Sequence, residues 1–294
     1  TKDTFSLFNA QRHLIEPLEP EVGMSAIGRY LYGKALKDAF KPLLSPENDN
    51  EMAAINSLQV LSLVGNEQSC GILINHADTS TEQRASLRLW ASAGLGKTFK
   101  TGVLQTQRII PVAELLADFA SREPKWYVVA RMFDSLTSLQ HVPGLNDIQQ
   151  SELEELSLQL QTRALVELMN DIRTGTDSDE RVRSLPFVLS SLRLQLIEPS
   201  IDAKARSTAE QGMLTTLIRH VDYVTNFLNP DLNEDDSVEL IAAYGESANV
   251  AGFIIDHILE CGDSGVPSIL DLWNAGDRDS IHSRVNNWKR LCNL

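Results

Sequence analysis

The chain reads EMAAINSLQVLSLVG over residues 51–65 and EQRASLRLWASAGLG over residues 82–96, two stretches that share one helical pattern and decide the predicted fold. Superposing their final glycines aligns small and apolar positions, namely Ala54 with Ala85, Leu58 with Leu89, and Val64 with Leu95. A shorter apolar segment, residues 68–77, lies between them. The resulting period of about 31 residues is typical of helical repeats that stack side by side.

Polar residues and glycines mark the predicted ends of these two helices. Residues 48–50 supply N-cap candidates for the first helix, and Gly65 supplies its C-terminal stop. Ahead of the second helix, Thr79 as N-cap and Glu82 three residues later form a predicted capping box, in which two free backbone amides are satisfied reciprocally. Gly96 is predicted to stop the second helix as Gly65 stops the first.

Apolar residues recur at helical spacing through most of the remaining chain, whereas strand patterns and hairpin turns are nearly absent. The further predicted helices span residues 23–44, 99–120, 125–139, 148–172, 185–197, 203–228, 238–244, 250–259, 266–273 and 281–291. Pro111 is expected to bend the second of these, because a proline ring clashes with the carbonyl four residues earlier. The sequence therefore predicts an all-α protein.

The domain organisation follows from the same pattern. Residues 174–179 are rich in Gly, Ser, Thr and Asp and are the best candidate for a boundary or hinge. We expect an N-terminal arm or cap at residues 1–24 and helical repeats at residues 25–173. Residues 180–294 are expected to form either further repeats or a separate helical domain.

The overall composition restricts the classes of partner. A chain of 294 residues with 43% hydrophobic and 22% charged residues can bury a large core. Its formal net charge of −14 argues against nucleic acid, because binding to a phosphate backbone needs clustered Lys and Arg. No apolar run reaches the roughly 18 residues that a membrane-spanning helix requires. A protein or peptide partner is therefore favoured, and the sequence carries no signal for an oligomeric state.

Cysteine usage and the N-terminus bear on the compartment. Cys70, Cys261 and Cys292 are too few and too scattered for a disulfide framework, so reduced thiols are expected. The N-terminus lacks the basic, apolar and small-residue order of a signal peptide. We expect a cytoplasmic protein, and secretion after processing stays open as the alternative because residue 1 is Thr.

Residues 75–96 resemble the second half of a HEAT repeat. That family places an Asp in the turn, an Arg at the start of the second helix, then small residues and a Leu-Gly ending; the matching positions are Asp78, Arg84, Ala85, Ala91, Leu95 and Gly96. The resemblance implies a right-handed solenoid of antiparallel helix pairs of HEAT or armadillo type. It also implies that Asp78 and Arg84 are structural and tie turn to helix and repeat to repeat.

Stacked helix pairs bury their apolar stripes against one another and leave an extended concave surface, along which such proteins usually bind other proteins. The leading hypothesis is therefore a non-enzymatic scaffold or adaptor that binds a protein or peptide there. One alternative is an enzyme on a helical-repeat scaffold, similar to the HEAT-containing phycobilin lyases or to a helical-repeat DNA glycosylase. Another is a helical effector or GTPase regulator. The acidic charge weighs against the glycosylase.

Four residues on one side of the second repeat helix are candidates for partner contact, namely Ser86, Trp90, Ala93 and Lys97. They lie about 100° or more around the helix from the predicted core stripe, which comprises Ala85, Leu89 and Ser92. Trp90 is the candidate anchor, because buried aromatic side chains dominate interface energetics. Packing against the adjacent repeat is its alternative role.

Three patterns resemble catalytic or metal-binding motifs, and each has a simpler structural explanation. Residues 91–98 (ASAGLGKT) match a loose P-loop, but a P-loop follows a strand and this segment continues a helical pattern. Residues 231–239 (DLNEDDSVE) resemble a calcium loop, but Asp236 and Ala242 stand where the loop needs Gly and a bidentate Glu. His257 and Cys261 would form only half of a zinc site. We expect no catalytic residue, metal site or cofactor.

Overall fold

The computed structural model describes residues 2–19, 22–175, 180–199, 201–227, 238–261 and 266–294. Over these residues it contains 13 α-helices and no strand, which confirms the predicted all-α class. The helices are α1 (Lys2–Ile15), α2 (Ala26–Leu44), α3 (Glu51–Val64), α4 (Glu67–Ala77), α5 (Ala85–Phe99), α6 (Thr106–Arg122), α7 (Trp126–Thr137), α8 (Asp147–Thr174), α9 (Leu185–Ile197), α10 (Ala203–Phe227), α11 (Val238–Ile258), α12 (Ile269–Asn274) and α13 (Arg278–Leu291).

The chain divides into two compact units. The first comprises Thr1–Glu123 and Arg131–Ser157, and the second comprises Pro124–Ala130 and Leu158–Leu294. The boundary predicted at residues 174–179 falls mostly outside the described residues, because residues 176–179 are not among them.

Helices of the first unit pack both on their sequence neighbours and on helices two positions away. α3 packs against α1 and α5, α4 packs against α2 and α6, and α4 also contacts α3 and α5. The side of α5 that these contacts cover carries a fully buried row, which comprises Leu87, Ala91, Leu95 and Phe99. Residues four apart lie on one helix face, so this face of α5 is buried in the core along the length of the helix.

The core stripe predicted for α5 is wrong in part. Ser92 is fully buried, but Ala85 and Leu89 are only half-buried. Superposition on the first repeat matched Leu89 to the fully buried Leu58 of α3. α5 packs against both α3 and α4, and that double contact turns a different row of residues toward the core.

Gly65 and Gly96, which the repeat aligns, have different roles. Gly65 ends α3 in the left-handed conformation with φ +63°, and its amide donates to the carbonyl of Leu61 at 3.3 Å. Gly96 lies inside α5, which continues to Phe99, so the prediction that it stops the helix is wrong. A Cβ at Gly96 would lie 2.9 Å from the Cα of Ser135 on α7. The glycine therefore permits a close approach of two helices.

Two other predicted helix boundaries are also wrong. The chain turns at Gly102, with φ +67°, and α6 starts at Thr106, so no single helix spans residues 99–120. Conversely, the separate helices predicted at 238–244 and 250–259 form the single helix α11. Its glycines create space for neighbours, since a Cβ at Gly245 would lie 2.8 Å from the ring of Trp273.

α11 is the central helix of the second unit. It packs against α9, α10 and α12, while α13 packs against α10 and α12. The carboxylate of Asp256 on α11 accepts a hydrogen bond from Trp288 Nε1 at 3.0 Å and pairs with Arg284, which joins α11 to α13. α11 alone among the described helices is long and apolar enough to cross a membrane, with mean hydropathy 1.2, but 56% of that window is buried in the protein. Such burial is typical of a core helix.

Candidate binding site

A cavity of about 740 Å³ lies between the C-terminal half of α2 and the exposed side of α4. Its volume is in the range of about 300–1,000 Å³ that ligand-binding clefts occupy. Apolar walls and a small number of polar groups converge there; the lining residues are Lys37, Asp38, Lys41, Pro42, Leu44, Ser45, Pro46, Ile72, Asn75 and His76.

Arg84 holds the α2 wall of this cavity in place. α2 ends at Leu44 because Ser45 precedes Pro46 and is extended, with ψ 144°. The last carbonyls of a helix have no partner within the helix. Arg84 supplies one, since its Nη2 donates to the carbonyl oxygen of Leu44 at 3.1 Å and its Nη1 donates to that of Ser45 at 3.4 Å.

Glu82 in turn positions Arg84. The Glu82 carboxylate accepts hydrogen bonds from Arg84 Nε at 2.9 Å, Arg84 Nη2 at 2.8 Å and the Arg84 backbone amide at 2.9 Å. Burial of Glu82 opposes its ionisation, but the hydrogen bonds from Arg84 and His76 and the positive charge of Arg84 outweigh it and lower the pKa of the carboxyl to about 2. Glu82 is therefore a buried anion that organises its surroundings.

The capping box predicted at Thr79 and Glu82 is wrong. α5 begins at Ala85, and its N-cap residue is Arg84, which makes no side-chain cap. Because the Glu82 carboxylate bonds to the guanidinium instead, it does not reach back to residue 79. Asp78 closes the preceding turn, as its carboxylate accepts from the amide of Ser80 at 2.9 Å and from its hydroxyl at 2.7 Å.

His76 connects this buried network to the cavity. Its Nδ1 lies 2.9 Å from Glu82 Oε2, and because an ionised carboxylate only accepts, Nδ1 carries the hydrogen. The side chain is 18% exposed and is one of the residues that line the cavity. A carboxylate on one ring nitrogen fixes both the tautomer and the orientation of the imidazole.

The α2 side of the cavity rim carries two lysines and one aspartate, Asp38. Lys37 and Lys41 line the cavity, and Lys34 lies one turn earlier on the same helix. All three are exposed, and none of them is in an ion pair with any residue that the structure describes. The arrangement can bind a carboxylate-bearing ligand. The three lysines are not among the residues predicted from the sequence, although basic residues at helical spacing in a chain of net charge −14 are a visible signal.

Three of the four predicted contact residues on α5 lie at a second, smaller cavity. Trp90, Ala93 and Lys97 line a space of about 260 Å³ together with residues of α1 and α3, and Trp90 is 39% exposed. Ser86 does not line it, and its hydroxyl donates to the carboxylate of Glu51. The structure thus brings together three of the four residues that the sequence analysis singled out.

A third cavity, of about 350 Å³, lies between α4 and α6. Glu67 and Arg108 form an exposed ion pair at 3.2 Å on its lining. Cys70 also lines it, but burial and the nearby charge of Glu67 raise the pKa of its thiol to about 12, so the thiol stays protonated and unreactive at neutral pH. α4 therefore has a cavity on each of its two sides.

The motif-like patterns do not form chemical sites in the described residues. Residues 91–98 lie within α5, where backbone amides bond inside the helix and cannot surround a phosphate. His257 lies 3.8 Å from Glu210, whereas Cys261 Sγ lies 3.6 Å from Asp256, and no described group of three or more His, Cys, Asp or Glu side chains could hold a metal. The calcium-loop pattern at 231–239 falls almost entirely outside the described residues.

The chain matches no protein-family model, no curated protein and no solved structure.

Proposed function

We propose that this protein is a non-enzymatic scaffold that binds a peptide segment of a partner protein in the cavity between α2 and α4. The cavity carries the proposal, because it combines apolar walls with Lys37, Lys41, Asn75 and His76 on an exposed surface. Its α2 wall is held by Arg84, which the buried Glu82 positions, so the site exists before a partner arrives. A preformed site avoids the free-energy cost of ordering a loop on binding.

We further propose that the first unit is a stack of antiparallel helix pairs of HEAT type. Two rows of helices support this arrangement: α3 lies between α1 and α5, and α4 lies between α2 and α6. In such a stack, each helix contacts its partner in the pair and its counterparts in the neighbouring pairs. The cavities on both sides of α4 belong to the row of α2, α4 and α6, which gives that row an extended binding surface.

A pull-down with cavity-filling variants tests this function. Asn75 is exposed and lines the cavity, so Asn75→Trp fills the site without entering the core. Gln211→Trp places the same side chain on the exposed side of α10 as a matched control. We expect a partner that the native chain and Gln211→Trp retain and Asn75→Trp loses. Equal retention by all three proteins would contradict the proposal.

Trp90 provides a second arm of the same experiment. If the cavity between α1, α3 and α5 also contacts the partner, Trp90→Ala will weaken retention, since truncation of an interface Trp costs about 2 kcal/mol or more. Retention that is unchanged in Trp90→Ala but lost in Asn75→Trp would confine the binding site to the cavity between α2 and α4.

A further inference from the structure

α2 presents one continuous exposed face that combines apolar and basic residues. Ile27, Tyr30 and Leu31 are 74%, 51% and 57% exposed, although residues of this kind are usually buried. Lys34, Lys37 and Lys41 follow them toward the C-terminus of the helix. Spacings of three, four and seven residues place all six on one side of α2. The face ends at the cavity, because Lys37 and Lys41 line both.

The charge of α2 is opposite to that of the chain. The helix carries four basic residues and one acidic residue, Asp38, which is exposed on the same face and lines the cavity, whereas the whole chain has a formal net charge of −14. Arg29, the first of the four, donates to the carbonyls of Leu63 and Val64 and so holds the end of α3. The three lysines have no carboxylate partner among the described residues, despite the excess of acidic side chains.

We propose that the partner segment is an acidic amphipathic helix that lies along α2. Its apolar residues would cover Ile27, Tyr30 and Leu31, and its Asp or Glu residues would reach Lys34, Lys37 and Lys41 at the cavity. This inference rests on the proposed function and specifies the chemistry of the peptide. Two helices that pack along each other meet through residues three, four and seven positions apart, and the exposed residues of α2 have this spacing.

Charge also argues for a peptide over an anionic membrane. A bilayer surface is wider than the exposed face of α2 and also meets charged residues outside it, which are predominantly acidic in a chain of net charge −14, so an anionic leaflet repels them. A single peptide helix meets the local field only, because charges farther away than about 8 Å are largely screened at physiological salt. The three lysines of α2 therefore favour the binding of an acidic peptide over the binding of an anionic membrane.

Selection from a displayed library tests the peptide chemistry. The intact chain is used to select from random peptides of about 15 residues, long enough for about four helical turns. Enriched peptides are then synthesised, and their Kd values are measured by fluorescence anisotropy for the native chain and two variants. Lys37→Glu with Lys41→Glu reverses the charge at the cavity, and Lys100→Glu with Lys204→Glu makes the same charge change at exposed sites elsewhere.

The expected result is enrichment of Asp and Glu at helical spacing among apolar residues. Kd is expected to rise at least about tenfold for the Lys37/Lys41 variant and to stay unchanged for the control variant. Enriched peptides without an acidic bias, or with equal affinity for both variants, would overturn the acidic helix while leaving peptide binding intact. Enrichment of no peptide would overturn both proposals. If the intact chain enriches no peptide but co-sediments with phosphatidylserine vesicles, α2 is a membrane-binding helix instead.

Discussion

Arg88 on α5 and Glu123 at the end of α6 form a buried ion pair with two parallel hydrogen bonds. Arg88 Nε and Nη2 each lie 2.8 Å from a Glu123 carboxylate oxygen, and the two side chains are 5% and 0% exposed. Arg88 Nη1 also donates to the carbonyls of Glu82 and Gln83 at 3.0 Å. One guanidinium thus joins the end of α6 to the segment that forms the Glu82 network under the candidate site.

Removing one partner of this pair is expected to destabilise the first unit strongly. Glu123→Gln removes the negative charge that pairs with the buried Arg88, which costs about 3–5 kcal/mol in comparable buried pairs. Asp134→Asn breaks the exposed Arg131 pair as a control and is expected to cost less than about 1 kcal/mol. Urea denaturation followed by circular dichroism measures both. Equal losses in the two variants would show that burial does not set the strength of the Arg88 pair.

Leu95 and Leu89 on α5 differ in burial, so their truncation to alanine is expected to destabilise the protein to different extents. Leu95 is fully buried, so Leu95→Ala is expected to cost about 2–5 kcal/mol through lost burial and a residual cavity. Leu89 is half-buried, and Leu89→Ala is expected to cost clearly less. Thermal melting of the two variants measures the difference. A larger decrease in melting temperature for Leu89→Ala than for Leu95→Ala would support the core stripe that the repeat alignment predicts.

Two helical glycines offer a matched test of close packing. Gly96→Ala is expected to destabilise by about 1–3 kcal/mol, because the new methyl group meets the backbone of Ser135 on α7. Gly71→Ala on α4 adds the same group where nothing lies within 4 Å, and is expected to stabilise by about 0.5–1 kcal/mol through helix propensity. Urea denaturation of both variants is expected to give changes of opposite sign in the free energy of unfolding. A stabilising Gly96→Ala would contradict the close approach of α5 to α7 at Ser135.

Stability is expected to fall as the pH drops below about 6.5 because of His220. Burial of this residue on α10 lowers the pKa of its imidazole from 6.5 to about 3, and its Nε2 lies 2.8 Å from the Ser247 hydroxyl. Between these values the unfolded chain binds a proton that the folded chain does not, so the contribution of this group to stability is complete above pH 6.5 and decreases toward pH 3.

The slope of unfolding free energy against pH tests whether His220 is responsible. One such group contributes at most about 1.4 kcal/mol per pH unit. Urea titrations at several pH values from 7 to 5 measure the slope, and His220→Gln is expected to reduce it even if the variant is less stable overall. Glu82 does not interfere, since the lowered pKa of its carboxyl places its own loss of stability between about pH 4.5 and pH 2. An unchanged slope in His220→Gln would assign the effect to other groups.

Local sequence determined most helix positions, because a helix is specified by apolar spacing and by its end residues. Asn50 accepts from the amide of Ala53 as an N-cap, Gly65 adopts the left-handed conformation at the end of α3, and the Ser45-Pro46 pair ends α2. Local sequence also marked Trp90, Ala93 and Lys97 as one surface. These properties depend on residues a few positions apart, so a single chain segment contains the information.

Tertiary structure alone decided which residues meet across helices. Gly65 and Gly96 occupy equivalent places in the repeat, yet one ends a helix and the other lies against Ser135, because α7 approaches only the second. Glu82 accepts hydrogen bonds from Arg84 and His76 and forms no capping box. Arg88 pairs with Glu123, which lies 35 residues away in the sequence. The sequence by itself determined an all-α chain with a repeated helical pattern. The packing of α2 on α4 decided where the cavity and its lysines lie, since that depends on contacts between distant residues that no local spacing encodes.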